Sequence, residues 1–318
     1  ALGAIGKKVV KMEKITYKGS LDDLYKSDLN KYIEYNLNDV KIIVALEKKL
    51  QFIEQARAIC HKGHVPYDCF TMSSRFIEGA ILMYLRRKGQ VAKNKPIDGR
   101  EEYENRLEEG EEGFEGAYVK DPIPGRYDWV FDLDLTSMYP NIIISLNISP
   151  ETKIGKVENW DPEKFVKNEL DTIQVGSATY TKDEFKQLLE KSEYSIASNG
   201  VMYKQNYQGV IPEILVKWFD ERKDLRKLAK KHGDAKEWDK YEFYDQRQKV
   251  QKVLLNSIYG VLGLPIFRFY DKDNASAVTL TGQDIIKTAN KAINQYYRKT
   301  LGVNDNTDYV IYVDTDSC

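Results

Sequence analysis

The sequence has few cysteines, no long apolar run and almost no net charge. Its 318 residues include three cysteines, Cys60, Cys69 and Cys318, which are too few and too scattered for a disulfide framework and favour a reducing compartment. No stretch approaches the roughly 20 apolar residues of a membrane span, which excludes an integral membrane protein. The net charge of −1 neither favours nor excludes a nucleic-acid partner. Hydrophobic residues still make up 42% of the chain, enough for a sizeable core, and the length predicts two domains, with three as the alternative.

The N-terminus carries no secretory signal. Its first six residues form a short apolar run that ends at Lys7 and Lys8, too short for a signal peptide, and the sequence does not begin with methionine. We therefore expect both ends to be cuts within a longer protein.

Hydrophobic periodicity predicts a helical N-terminal part and a mixed remainder. Three- and four-residue spacings predict helices from Leu29 to about Ile59 and from Thr71 to Arg87. Alternation predicts a strand from Trp129 to Leu135, and a second β-rich run closes the chain from Tyr309. Further helices are expected over 182–191, 212–233, 236–262 and 282–300. The two long helices within 212–262 are joined by one short turn, which predicts an antiparallel hairpin.

Two segments are unusual in charge. Nine acidic residues lie between positions 98 and 115 and predict a solvated loop. Residues 217–252 hold twelve basic and eight acidic residues, a local excess of four positive charges. Because the acids could be helix-pairing partners of the bases, this excess alone is weak evidence for phosphate binding.

Four aspartates form two pairs, and each pair closes a β-rich run. Asp132 and Asp134 alternate with apolar residues in the first run, and Asp314 and Asp316 have the same spacing in the second. Strand-end acids exposed to solvent are the simpler interpretation of either pair alone. Two such pairs favour a site for two hard cations that bridge phosphate oxygens, since carboxylates that leave water need cations.

A basic helix lies between these two acidic runs. Lys252, Asn256 and Tyr259 recur at positions i, i+4 and i+7, which places them on one helix face, and Gly260 permits close approach of a base or backbone. On the preceding helix, Arg222 and Arg226 are four residues apart and therefore also lie on one face. Each helix alone could be an ordinary charged surface. A nucleoside triphosphate needs metal ions on one side and cations on the other, and the two features together favour such a ligand.

Three motifs of this chain resemble those of family B (polymerase α-like) DNA polymerases. They are Asp-Leu-Thr-Ser-Met-Tyr-Pro at 134–140, Lys-Val-Leu-Leu-Asn-Ser-Ile-Tyr-Gly at 252–260, and Tyr-Val-Asp-Thr-Asp-Ser at 312–317. Residues 114–117 are similar to the linker motif Tyr-x-Gly-Gly/Ala of the family, with Phe114 in place of tyrosine. Further similarity at 267–271 and 277–279 follows the second motif. The segments 149–152 and 199–203 most resemble the replicative polymerases of large tailed bacteriophages.

The resemblance implies a two-metal catalytic site. Asp134 and Asp316 are expected to hold two Mg²⁺ ions, for which Mn²⁺ can substitute, with help from the backbone carbonyl of Leu135. Asp314 is expected to be an accessory acid of the same turn. The motif spacing selects Asp134 rather than Asp132, whose role stays open.

The resemblance also implies a deoxynucleotide site. The backbone N–H groups of Ser137, Met138 and Tyr139 are expected to cradle the triphosphate. Residues expected to neutralise the triphosphate or to line the nascent base pair are Arg222, Arg226, Lys252, Asn256, Tyr259 and Gly260. The ring of Tyr139 is expected to exclude a 2′-hydroxyl from the sugar pocket.

Near the N-terminus, Tyr35 and Asp39 resemble the last motif of the family's 3′–5′ exonuclease, Tyr-x-x-x-Asp. Tyrosine and aspartate four residues apart are common on helices, so the pair gains its meaning from the family context. The acids of the two earlier exonuclease motifs are expected upstream of Ala1, and we therefore expect the 318-residue chain alone not to degrade DNA.

A zinc site is the alternative interpretation of a cluster formed by Cys60, His61, His64 and Cys69. The spacing departs from that of structural zinc sites, and Val65-Pro66 interrupts it. We disfavour zinc at these residues, and the family resemblance implies no metal there.

These observations predict an α/β (α+β) fragment of a replicative DNA polymerase. The expected parts are the end of an exonuclease domain (1–51), a helical connecting segment (52–105), a palm with an antiparallel sheet (106–210 and, truncated, 265–318), and a helical-hairpin fingers insertion (211–264). Expected partners are primer–template DNA, deoxynucleoside triphosphates and a sliding clamp bound through the missing C-terminus. The expected location is the cytoplasm, that of the host for a viral enzyme. The alternatives are a two-metal nuclease, which has no use for the Lys252–Tyr259 face, and a DNA-binding scaffold with a degenerate site.

Overall fold

The computed structural model describes residues 2–95 and 115–318, which have a mixed α+β fold rich in helix, with small antiparallel sheets. Most of the acidic run at 98–115 and the linker residue Phe114 lie outside the described residues. The chain divides into two compact units, Ala1–His61 and Lys62–Cys318. Among the described helices, none combines the length and the apolar character that crossing a membrane requires.

The N-terminal unit is helical. Its helices are α1 (Leu2–Val9), α2 (Leu21–Ser27), α3 (Leu29–Leu50) and α4 (Phe52–Gly63), the last of which runs into the second unit. Both α1 and α2 contact α3. Asp28 begins α3 by accepting a hydrogen bond from the backbone N–H of Lys31 at 3.0 Å.

The single helix predicted from Leu29 to Ile59 is wrong, because the structure has two. Gln51 takes a left-handed backbone with φ of 52°, which ends α3. The side chain of Glu47 then accepts a hydrogen bond from the N–H of Ile53 at 3.0 Å, at the start of α4. Hydrophobic spacing continues across this break and so could not reveal it.

The second unit contains seven further α-helices among its described residues. They are α5 (Ser73–Arg87), α6 (Met138–Leu146), α7 (Pro162–Lys167), α8 (Lys182–Ser192), α9 (Val210–Asp234), α10 (Trp238–Leu262) and α11 (Lys272–Leu301). A short 3₁₀ turn, Tyr67–Cys69, precedes α5. The predicted antiparallel hairpin is confirmed, since α9 and α10 pack along their lengths.

Helix α11 begins ten residues before its predicted start at 282. The carboxylate of Asp271 caps it by accepting from the N–H of Asn274 at 3.0 Å. The added turns bury small and polar side chains, among them Asn274, Ala275 and Thr279, rather than a large apolar stripe. This composition explains why hydrophobic periodicity missed them.

Seven short strands form three antiparallel sheets among the described residues. They are β1 (Val119–Lys120), β2 (Lys153–Lys156), β3 (Thr172–Val175), β4 (Ala178–Thr181), β5 (Tyr194–Ile196), β6 (Val201–Lys204) and β7 (Val313–Asp314). The sheets are β1–β7, β2–β6–β5 and β3–β4. In the first of them Val119 pairs with Asp314, which carries the closing acids beside β1.

The strand predicted from Trp129 to Leu135 does not form as a regular strand. Trp129 has a left-handed backbone and is 91% exposed, and the apolar side chains that follow it are also exposed. Only the last residues, Leu133 to Leu135, pair with another segment, 316–318. Alternation correctly predicted an extended backbone. It could not show that only the last residues of this segment have a second segment with which to pair.

In the second unit, α6 packs among three longer helices. This helix contacts α9, α10 and α11. Its buried residues, Met138, Pro140, Ile142 and Ile143, fix it against them. Because α6 directly follows the first pair of aspartates, this packing fixes the direction in which the chain leaves them.

We predict that Asn147 contributes strongly to the stability of this unit. It ends α6 with φ of 59°, is 3% exposed, and donates to the carbonyls of Lys204 and Tyr207 at 2.6 and 2.8 Å. Its Oδ1 accepts from the N–H of Gly209 at 2.8 Å. Asn147→Ala leaves three backbone groups, one in a buried and two in part-buried hydrogen bonds, without this partner and should lower the free energy of unfolding by about 2–4 kcal/mol in urea denaturation.

The matched control is Asn159→Ala, since Asn159 has a similar backbone with φ of 54° but is exposed. Asn159→Ala should lower the free energy of unfolding by well under half as much as Asn147→Ala does. Equal losses in the two variants would mean that backbone strain, and not the hydrogen bonds of Asn147, is responsible.

Candidate functional site

Backbone hydrogen bonds bring the two pairs of aspartates together. The N–H of Leu133 donates to the carbonyl of Cys318 at 2.8 Å, and the N–H of Cys318 donates back at 3.0 Å. The N–H of Leu135 donates to the carbonyl of Asp316 at 2.8 Å. Asp134 thereby lies opposite Ser317 in an antiparallel bridge. Two acidic segments that are distant in sequence become neighbours.

A tight turn presents the second pair of acids. Thr315, between them, has a left-handed backbone with φ of 59°. The carbonyl of Asp314 accepts from the N–H groups of Asp316 and Ser317 at 2.7 and 3.0 Å, and the N–H of Thr315 donates to the carbonyl of Tyr118, beside β1. The side chain of Asp314 accepts from the Thr315 hydroxyl at 2.9 Å. The turn is therefore held on both sides.

The charges of the acids affect one another. Burial raises the pKa of Asp316, and the negative charges of Asp134 and Asp314 raise it further. Two carboxylates that repel each other form a donor set suited to a hard divalent cation, which takes oxygen ligands. Among the described residues, no group of three or more His, Cys, Asp or Glu side chains is placed to hold a metal.

Helix α6 begins at Met138, four residues after Asp134. Ser137 is its N-cap residue, with a left-handed φ of 55° and no hydrogen bond from its side chain to the helix. The first N–H groups of a helix, here those of Met138 and Tyr139, have no acceptor within the helix. Such an end attracts anions, phosphate above all.

Tyr139 links the acids to α10. Its ring lies 4.3 Å from that of Tyr259, measured between centroids, with the planes tilted by 42°. Burial raises the pKa of Tyr139, and the negative charges of Asp316 and Asp314 raise it further. Burial and the neighbouring Tyr139 raise the pKa of Tyr259 to about 12. Both rings therefore stay neutral at physiological pH.

The predicted basic residues lie on the α9–α10 hairpin. Lys252 and Asn256 are exposed on the face of α10 that also carries the half-buried Tyr259. On α9, the Nε of Arg222 donates to Oε1 of Gln248 at 3.3 Å, one turn before Lys252. Burial lowers the pKa of Arg222, with a smaller effect from the charge of Arg226. The ring contact between Tyr139 and Tyr259 is what connects this face to the acids.

In the N-terminal unit, Tyr35 and Asp39 have a partner that the sequence analysis missed. The Nζ of Lys14 lies 2.7 Å from Oδ2 of Asp39 and 4.9 Å from the centre of the Tyr35 ring. Hydrogen bonds to Asp39 and Tyr35 raise the pKa of Lys14. Oδ1 of Asp39 is buried without a hydrogen-bond partner among the described residues. Lys14 precedes α2 in an irregular segment, where no helical or strand spacing could reveal the contact.

Comparison with known proteins places this arrangement in a family. A sequence model of DNA polymerase family B matches residues 67–318, and the chain belongs to that family. The DNA-directed DNA polymerase of Enterobacteria phage T4 is 27% identical over 365 residues, which cover 100% of this chain and 37% of that protein.

Other relatives agree with this assignment. The DNA-directed DNA polymerase of Escherichia phage RB69 is 27% identical, with 96% of this chain and 36% of that protein covered. DNA polymerase 1 of Pyrococcus abyssi is 28% identical, with coverages of 91% and 31%. The chain spans about a third of the length of these curated relatives. The predicted resemblance to family B and to phage polymerases is confirmed.

We predict that Asp134→Asn lowers the pKa of Asp316. The amide removes the negative charge of Asp134 without changing the size of the side chain, so the carboxyl of Asp316 loses a proton more easily. Carboxylate NMR of the metal-free protein, with ¹³C-labelled aspartate, measures the titration directly.

Asp132→Asn is the matched control, because the charge of Asp132 acts on the thiol of Cys318, whose pKa is raised by burial and by that charge. It should leave the titration of Asp316 unchanged. An Asp316 pKa that responds equally to both variants would contradict the pairing of Asp134 with Asp316.

Proposed function

We propose that this chain is part of a template-directed DNA polymerase that adds deoxynucleotides to a primer 3′-hydroxyl during phage DNA replication. The observation that carries the proposal is the position of Tyr139, in the first turn of the helix that follows Asp134 and with its ring against that of Tyr259. This one residue joins paired carboxylates, a helix N-terminus and a basic helix face, the three features that transfer from a nucleoside triphosphate requires.

The parts of the polymerase are proposed with the boundaries predicted above. The end of an exonuclease domain (1–51) is followed by a connecting segment (52–105), and the palm (106–210 and 265–318) is interrupted by the fingers (211–264). The α9–α10 hairpin, Val210–Leu262, supports the fingers assignment. Of the connecting segment and the palm, residues 96–114 lie outside the described part of the chain.

Asp134 and Asp316 are proposed to hold two Mg²⁺ ions, for which Mn²⁺ can substitute, together with the carbonyl of Leu135. The charge repulsion between the two carboxylates supports this, because a divalent cation would relieve it. Bound metal ions supply charge neutralisation for the attacking and leaving oxygens. Asp314, whose side chain accepts from Thr315 and, at 3.4 Å, from the hydroxyl of Tyr312, is the accessory acid.

The triphosphate is proposed to lie at the N-terminus of α6. The backbone N–H groups of Ser137, Met138 and Tyr139 would cradle it, and the start of the helix supports this because its first N–H groups lack acceptors within the helix. Side chains proposed to neutralise it are those of Arg222, Lys252 and Arg226. Holding the triphosphate in line with the primer hydroxyl is then the main contribution of the protein to the reaction.

The nascent base pair and the sugar are proposed to contact the two tyrosines. Asn256, Tyr259 and Gly260 would line the base pair, and Gly260 has open space around it. The ring of Tyr139 would lie beneath the sugar and take up the volume of a 2′-hydroxyl. A close-packed wall discriminates well, because it cannot yield without strain.

A proofreading 3′–5′ exonuclease is proposed for the longer protein. Tyr35 and Asp39 would contribute to its site, which fits a metal because one buried carboxylate oxygen of Asp39 lacks a hydrogen-bond partner in the described residues. Lys14 holds the other oxygen and lies over the Tyr35 ring, so it orders both side chains.

The proposed partners are primer–template DNA, deoxynucleoside triphosphates and a sliding clamp. A two-metal nuclease would leave the Lys252–Tyr259 face unused, and a scaffold with a degenerate site would not need the intact pair Asp134 and Asp316. Incubation of the whole polymerase with a labelled primer–template separates the three, because a polymerase extends the primer, a nuclease only shortens it and a scaffold only binds it.

Loss of either carboxylate should abolish extension by the whole polymerase. We expect Asp134→Ala and Asp316→Ala each to lower the rate of nucleotide addition by about 10³-fold or more, since each removes a group that acts mainly in the transition state. Primer–template affinity, measured by fluorescence anisotropy, should stay nearly unchanged. Asp132→Ala is the control and should extend at close to the wild-type rate, while near-normal extension by either of the first two variants would refute their assignment.

Asp39 should be required for proofreading but not for primer extension. In the whole polymerase, Asp39→Ala should abolish trimming of single-stranded 3′ ends in Mg²⁺, because the exonuclease site loses a metal ligand, and should leave primer extension intact. Asp22→Ala, which removes an exposed carboxylate of the same unit, should trim normally. Normal trimming by Asp39→Ala would overturn the exonuclease assignment.

A further inference from the structure

Helix α11 approaches the proposed sugar-selecting residue at a glycine. Gly282 is buried in the middle of α11 and faces the first turn of α6. A β-carbon placed on it would lie 2.9 Å from Cε1 of Tyr139 and 2.9 Å from Cε of Met138. Real β-carbons do not approach other atoms so closely, so any side chain at 282 must move both neighbours or shift α11 itself.

The backbone of α11 does not itself demand glycine at this position. Gly282 lies within a continuous helix, where glycine is less stable than alanine by about 1 kcal/mol. A glycine in a helix interior therefore calls for a packing reason. The reason available here is the space that the ring of Tyr139 and the end of Met138 fill.

The two neighbours differ in their freedom to move. Met138 is flexible and can turn its terminal methyl away from an added side chain. The ring of Tyr139 is rigid, and its contact with Tyr259, at a centroid distance of 4.3 Å, restricts it further. A side chain at 282 would displace this ring, which the proposed function puts beneath the sugar of the incoming nucleotide.

We propose that Gly282 is a positioning residue for sugar selection, which by lacking a side chain sets how deeply the Tyr139 ring lies and so sizes the pocket for a deoxyribose. The inference rests on the proposed polymerase function. It adds a residue of α11, remote from the three sequence motifs that carry the acids and the cations, to the determinants of substrate choice between deoxyribonucleotides and ribonucleotides.

A double-mutant cycle in the whole polymerase tests this coupling. Gly282→Ala should raise KM for dCTP about tenfold, which corresponds to about 1.4 kcal/mol, with kcat within about threefold of wild type. Tyr139→Ala should admit CTP far more readily than wild type does. Adding Gly282→Ala to Tyr139→Ala should change KM for dCTP by less than about twofold, because the ring that transmits the effect is gone.

Gly155→Ala is the matched control. A β-carbon on Gly155 meets nothing within 4 Å, and β2 lies outside the proposed site, so KM for both nucleotides should equal that of wild type. Thermal unfolding of all the variants checks that they fold. If Gly282→Ala unfolds but the double variant folds, the rescue supports the contact; if both unfold, the methyl group clashes elsewhere and the inference is overturned.

The remaining outcomes separate the two levels of the proposal. If Tyr139→Ala admits CTP but Gly282→Ala raises KM equally with and without the Tyr139 ring, the positioning role of Gly282 is overturned and the sugar role of Tyr139 stands. If Tyr139→Ala still rejects CTP, the sugar role of Tyr139 fails and this inference fails with it. Absence of extension by the wild-type enzyme would overturn the proposed function itself.

Discussion

The site depends on the backbone pairing between Leu133–Leu135 and Asp316–Cys318. Three hydrogen bonds of 2.8 to 3.0 Å hold these segments together. They act against burial and the charge of Asp134, which together raise the pKa of Asp316. Backbone hydrogen bonds can impose this proximity because they do not depend on the charges of the side chains. The fold thus offsets the free-energy cost of bringing the two carboxylates together. Their combined negative charge would attract a cation.

Each acidic segment turns at a residue whose backbone is unfavourable for its type. Ser137 and Thr315 have φ of 55° and 59°, in the left-handed region that favours glycine. Such conformations persist where the surroundings fix them, and they cluster at functional sites. The buried residues of α6 fix the first turn, and the pairing of β7 with β1 fixes the second. As a result, the helix N-terminus and the acids are set relative to one another before any ligand binds.

Local spacing in the sequence revealed the helical hairpin, the shared face of Lys252, Asn256 and Tyr259, and the acids themselves, because each of these depends on residues a few positions apart. It could not reveal contacts between distant segments. Lys14 reaches Asp39 from an irregular stretch, and Gly282 meets Tyr139 through the crossing of two helices. The strand predicted from Trp129 failed for the same reason. Alternation depends on one segment alone, whereas a strand also needs a second segment to pair with.

On the α9–α10 hairpin, the guanidinium of Arg222 is held in one direction, but no acidic side chain among the described residues neutralises its charge. Three lysines of the hairpin pair with acids about one turn away, as Lys249 does with Asp245 at 2.8 Å and Lys227 with Asp224 at 3.2 Å. Arg222 instead donates to the neutral amide of Gln248. An amide fixes the direction of the guanidinium but leaves its charge intact, and partial burial makes that charge costly, as the lowered pKa indicates. If the triphosphate contacts Arg222 as proposed, its negative charge would offset the cost of burying the guanidinium and its oxygen would accept a directed hydrogen bond.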